Sequence, residues 1–170
     1  MIAASTRRMI WLRHTAAAGV ALALLAGGVA AQGDAPFDQL AGHWSGVGAI
    51  ELSNGGREPV KCRATYDVLG QQNNLQFNIR CASDSFKFDL RGSASYSGGA
   101  VTGSWSEATR NASGTMTGKA TSERLEVVVE GPAFSATLTL VTQGAKQMVS
   151  IKSHAEQGDV KGAAIALRRI

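Results

Sequence analysis

The sequence predicts a single all-β domain: one antiparallel up-and-down β-barrel of eight to ten short strands, with a β-sandwich as the alternative. Three observations carry that prediction. From Gly42 onward apolar and polar residues alternate with period two. Turn-forming clusters break the alternation about every eight to twelve residues, at Asn54-Gly55-Gly56, Gly70 to Asn74, Ser97-Gly98-Gly99, Gly131-Pro132 and Gln157-Gly158. No window past residue 42 carries an apolar stripe of helical period. Short, evenly spaced strands joined by turn residues build sandwiches and barrels.

Residues 1–31 stand apart from that pattern. Arg7, Arg8 and Arg13 open the chain without an acid, an apolar run covers Ala16 to Ala26, and Val29-Ala30-Ala31 places small residues before Gln32. That order is a cleavable export signal, which predicts a periplasmic protein. The apolar run is short of the roughly twenty residues that span a bilayer. No stable membrane insertion is expected once the signal is removed. Thr6-Arg7-Arg8-Met9-Ile10 resembles a twin-arginine signal, a weak motif by itself, and a conventional signal is the plainer reading. Residues 32–41 read as a short N-terminal arm and turn, and 42–170 as the barrel.

Ten strands are predicted, near 43–53, 57–69, 75–83, 85–95, 100–108, 113–121, 124–130, 133–141, 147–153 and 160–169. The second and third fix their own register. Cys62, Ala64, Tyr66 and Val68 share one face, as do Leu75, Phe77, Ile79 and Cys81. Setting Val68 against Leu75 also pairs Tyr66 with Phe77, Ala64 with Ile79 and Cys62 with Cys81. A slip of one residue would break both the apolar face and the cysteine pairing. Opposed antiparallel residues lie within disulfide reach, so one structural disulfide, Cys62–Cys81, is expected in an exported chain. The fourth strand repeats the pattern with Phe86, Phe88 and Leu90 on one face. An outer-membrane barrel would place aromatic girdles at strand ends. Here Trp44, Tyr66, Phe77, Phe86 and Phe88 sit mid-strand, so the apolar face is expected inside.

Composition excludes some functions. The chain has 17 Lys plus Arg against 13 Asp plus Glu, and three of the arginines but none of the acids precede Gln32. The mature chain is therefore 14 against 13, nearly neutral, with its basic residues scattered. Nucleic-acid binding needs a clustered basic footprint, and none is expected. His43 and His154 are far apart in sequence, with no cysteine or carboxylate at metal-ligand spacing, so neither a metal nor a cofactor is expected. No Gly-x-Ser-x-Gly elbow is present, and no catalytic residue is assigned.

Phe37-Asp38-Gln39-Leu40-Ala41-Gly42-His43-Trp44 resembles the opening of lipocalins and the wider calycin barrels, where a helical turn leads into Gly-x-Trp on the first strand. The resemblance implies a calycin-like barrel with Arg168 or Arg169 from the last strand covering Trp44. A second Gly-x-Trp-Ser, Gly103 to Ser106, echoes Gly42 to Ser45. Leu40 to Gly46, Cys62 to Tyr66 and Arg80 to Ser85 also resemble small uncharacterised exported proteins of alphaproteobacteria, a grouping that implies no activity.

Candidate ligand or interaction residues are Trp44 and Trp105 together with Glu107, Arg110 and Asn111. The last three form a polar strand end and loop, in which a turn-bridging Glu107–Arg110 pair is the plainer reading. Three function classes remain. The first is an envelope interaction protein with a packed barrel, on the pattern of secreted-protease inhibitors, with residues 32–38 as a free arm. The second is a small apolar-ligand barrel, in which Gly46, Gly48, Gly103, Gly114 and Gly118 leave room beside Trp44 and Trp105. The third is an enzyme, for which no nucleophile or base presents itself. An unidentified protein partner or a small apolar ligand is thus the expected occupant.

Overall fold

A computed structural model describes residues 35–170 except 71, 72, 133 and 157. The expected export signal and residues 32–34 lie outside the described residues. Ten strands follow a 3-10 turn at Asp38–Leu40: β1 (Gly42–Leu52), β2 (Arg57–Leu69), β3 (Asn74–Ala82), β4 (Lys87–Ser97) and β5 (Ala100–Glu107). They continue with β6 (Ala112–Ala120), β7 (Arg124–Gly131), β8 (Phe134–Gln143), β9 (Lys146–Ser153) and β10 (Val160–Arg169). Each pairs antiparallel with its sequence neighbours, and β1 pairs with β10, so the sheet is a closed up-and-down barrel rather than a sandwich.

Closure removes both sheet edges and leaves one inward face, which the period-two pattern fills. The β2–β3 register sets Cys62 opposite Cys81, Ala64 opposite Ile79, Tyr66 opposite Phe77 and Val68 opposite Leu75. The Cys62–Cys81 disulfide forms on that inward face, with Cα atoms 4.1 Å apart. The predicted strand near 85–95 begins later, at Lys87. Phe86 is held in the preceding turn, donating its N–H to Ser83 Oγ at 3.0 Å while its carbonyl accepts from Ser83 N at 2.9 Å.

The two ends of the barrel differ. Both the 3-10 turn and the end of β10 lie at the end formed by the β2–β3, β4–β5, β6–β7 and β8–β9 connections. There Phe37 and Trp44 are fully buried and Leu40 nearly so. The described part of the arm expected to be free is therefore docked, because Phe37 has an apolar ring to bury and packs edge-on to Tyr96 at 6.4 Å. Beneath this plug, Tyr66 Oη donates to Gln147 Oε1 and Gln147 Nε2 donates to Thr142 Oγ1, each at 3.2 Å. All three residues are buried, and burial pushes the Tyr66 phenol far above its ordinary value. This end is sealed.

Candidate functional site

The opposite half of the interior is lined differently. Cross-strand neighbours share a face, so Val127, Leu138 and Ile151 point inward together, as do Cys81 with Phe88 and Ile79 with Leu90. Of these, Val127 is buried, whereas Leu138, Ile151, Phe88 and Leu90 are only half-buried. Phe134, where β8 begins, remains 42% exposed. These side chains point into the barrel and still meet solvent, so they line a partly filled cup, beside Ile50, Val60 and Ala136, which are buried at the same end. A barrel of ten strands is wider than the eight that side chains alone can fill.

Trp105 lies on the inward face of β5, nearly buried. Its indole N–H donates to the Thr115 carbonyl at 3.1 Å, and its ring meets Phe134 edge-on at 6.0 Å. A Cβ on Gly114 or Gly131 would sit 2.9 Å from the Trp105 Cζ2 atom, so the wall beside this ring has to be glycine. Trp105 thus fills part of the open half.

Trp44 is elsewhere. Its N–H donates to the Leu40 carbonyl at 2.7 Å, and the Arg169 guanidinium lies 4.4 Å from its ring centroid. Arg169 also donates to the Ala41 carbonyl, and to the Gln39 carbonyl at 2.7 Å. Of the two arginines that the sequence offered, Arg169 is the one that covers the tryptophan. Trp44 is a ligand candidate with no free surface, because the plug consumes it.

The glycines expected to leave room do not. A Cβ would stand 1.9 Å from the Ala166 carbonyl at Gly46, 2.2 Å from that of Ala164 at Gly48 and 2.2 Å from that of Ser93 at Gly103. At Gly114 and Gly118 the Glu130 and Glu126 carbonyls would be 1.7 and 2.0 Å away. Neighbouring backbone fills these positions. The glycines let strands coil closely together, which is the use a strand makes of glycine at a sharp bend.

Glu107, Arg110 and Asn111 belong to the β5–β6 turn on the rim of the cup. Glu107 faces inward beside Leu90 and is buried. Its carboxylate accepts hydrogen bonds from Asp89 N at 2.9 Å, Thr109 N at 3.1 Å, Thr109 Oγ1 at 2.6 Å and Arg110 N at 2.8 Å. Burial pushes this carboxyl up, and the hydrogen bonds from Thr109, Asp89 and Arg110 outweigh it, so its pKa is lowered. The Arg110 guanidinium pairs with Glu107 at 3.8 Å across the turn. Asn111 adopts φ 49°, the left-handed conformation that asparagine tolerates in turns. Across the rim, Glu58 accepts from Ser85 N at 2.7 Å. Hydrogen bonds from the Ser83 side chain and the Ser85 backbone lower its pKa. Sequence reading missed Glu58, Leu138 and Ile151, whose only signal was their inward parity.

Among the described residues no cluster of three metal-ligating side chains occurs. His43 bonds Thr65 at 3.1 Å, and His154 is held between Ser135 at 3.1 Å and Thr137 at 2.9 Å. No described helix is long and apolar enough to cross a membrane.

No protein-family model matches the chain, and no curated protein sequence is significantly similar to it. Solved structures do resemble it. Rv2717c from M. tuberculosis superposes with a TM-score of 0.63 at 14% identity, over 79% of this chain and 94% of that one. The S-type phycobiliprotein lyase CPES from Guillardia theta superposes with a TM-score of 0.57 at 10% identity, over 79% and 90%. At such identities the likeness is one of fold: a calycin-like barrel.

Proposed function

We propose that this protein is a non-enzymatic binding barrel that takes a small apolar ligand into its open half. One observation carries the reading: inward apolar residues such as Leu138, Ile151 and Phe88 stay half-exposed at one end, while the other end is plugged. Apolar concavities with a few fixed polar groups are the usual form of ligand sites. The test is a titration with the neutral dye Nile red, competed by dodecanol. Saturable binding is expected, and Leu138→Trp, which fills the cup from β8, should abolish it without lowering the melting temperature appreciably. Binding that survives Leu138→Trp would show that the ligand sits elsewhere.

We further propose that the mature protein works in the periplasm. Residues 1–31 would then be removed. A structural disulfide fits an oxidising compartment. Intact mass of the periplasmic species should place the N-terminus at Gln32, and a full-length cytosolic protein would contradict it.

The envelope-interaction reading keeps one observation in its favour. On the outer wall, Val47 and Met148 are 60% and 56% exposed and flank Ala166 on adjacent strands. Exposed apolar groups that adjoin one another suit a protein contact. Replacing both with Glu would abolish such a contact and leave Nile red binding intact.

A further inference from the structure

We propose that the ligand of the cup is an amphipathic anion whose acidic group is bound by the Arg110 guanidinium on the rim. This rests on the ligand reading above and adds the chemistry of the head group. Phe88 faces inward on β4 opposite Cys81, and it stacks with Phe86 at 6.3 Å with the ring planes 11° apart. The Arg110 guanidinium carbon lies 4.7 Å from the Phe88 ring centroid, so the cation sits directly on the aromatic lip of the cup.

The guanidinium is fixed there through one nitrogen. Nη1 donates to the Lys87 carbonyl at 3.1 Å and to Thr109 Oγ1 at 3.3 Å, and it is also the atom that pairs with Glu107. Nε and Nη2 make no hydrogen bond among the described residues, and the side chain is 48% exposed. A planar fork already stacked and anchored binds carboxylate or phosphate oxygens with little further ordering.

The nearby acids leave Nε and Nη2 open, because Glu107 pairs with the guanidinium through Nη1 alone. Glu107 spends its oxygens on the Asp89, Thr109 and Arg110 backbone and the Thr109 hydroxyl. Glu58 is bound to the Ser85 backbone. Asp89 is paired with Arg80 at 3.2 Å and Arg91 at 3.4 Å. Below the lip, Leu90, Leu138 and Ile151 give the inward wall an apolar surface beside the hydrogen-bonded Glu107 carboxylate. A molecule with an apolar body and an acidic end therefore matches the cup from floor to rim.

The experiment compares dodecanoic acid, dodecyl phosphate and dodecanol by calorimetric titration at pH 8, on the mature chain and on Arg110→Gln and Arg110→Lys. At least one anion should bind the wild type about tenfold more tightly than the alcohol. Arg110→Gln should bring that anion down to the level of the alcohol, leaving the alcohol unchanged. Arg110→Lys, which keeps the charge, should retain part of the preference. Equal binding of acids and alcohol in the wild type overturns the inference while the apolar cup stands. So does an equal loss for acid and alcohol in both variants, which marks Arg110 as a turn clamp only. Failure of all three compounds to bind removes the ligand reading itself, and the inference with it.

Discussion

Where the 3-10 turn and the end of β10 meet, Phe37, Leu40 and Trp44 have almost no surface left, while on the same inward face Leu138, Ile151 and Phe88, away from that end, remain partly exposed. Both halves come from the same alternation of apolar and polar residues. The difference comes from two additions at the sealed end: a 3-10 turn that lowers Phe37 and Leu40 onto it, and Arg169 stacked on Trp44. Sealing therefore needs residues outside the strand pattern. At the open half Arg110 stacks on Phe88 and Phe86 stacks beside it, yet Phe86 and Phe88 stay partly exposed.

Truncations in the two halves should differ in their cost. Trp44→Ala should cost about 3–5 kcal/mol, the range for a buried aromatic, read from the urea midpoint at constant slope. Leu138→Ala should cost less than half of the roughly 2–5 kcal/mol of a fully buried leucine. Equal losses at the two positions would mean that the open half is as tightly packed as the plug. Next in size is the Cys62–Cys81 disulfide. Cys62→Ala should lower stability by about 2–4 kcal/mol. Thiol labelling of the unfolded, unreduced wild type should find no free cysteine. Gly103→Ala follows at about 1–3 kcal/mol, since its Cβ meets the Ser93 carbonyl and the Ala94 Cα rather than a void.

The same contrast explains what the sequence could disclose. A period of two distinguishes inside from outside, so the β2–β3 register and the disulfide were legible, because cysteines and apolar residues agreed on one pairing. The pattern carries no information about depth along the barrel axis. Leu138 in the cup and Leu140 in the core look alike in sequence, yet one is half-exposed and the other buried. Phe37 lies before the first strand, where no periodicity shows that it caps the barrel. The glycines misled for a related reason. A missing side chain reads as space, but curvature brings the next strand's carbonyl into that space. Of the candidate residues, the Glu107–Arg110 bridge was readable because it is local. The stacking of Arg110 on Phe88, a residue of another strand, was not.

The smallest expected effect concerns the rim, and its sign follows from Glu107. The carboxyl is buried, yet its hydrogen bonds from Thr109, Asp89 and Arg110 depress its pKa below the ordinary 4.5. A group with a depressed folded-state pKa stabilises the fold fully above its unfolded value, and that contribution is lost as pH falls through the folded value. Wild-type stability should therefore begin to decline below about pH 4.5. Glu107→Gln should lose about 1 kcal/mol at pH 7, because an amide oxygen accepts the same N–H groups less strongly. The variant and wild type should then converge as the pH falls through the lowered folded-state value. Glu58 shifts in the same direction and persists in the variant, so the difference between the two proteins isolates Glu107. Because this carboxylate ties the β5–β6 turn to β4 through Asp89, the loss belongs to the rim. Hydrogen exchange should rise at Asp89, Thr109 and Arg110 and stay unchanged at Trp44. An equal rise at both ends would mean that the sealed and open halves unfold as one unit.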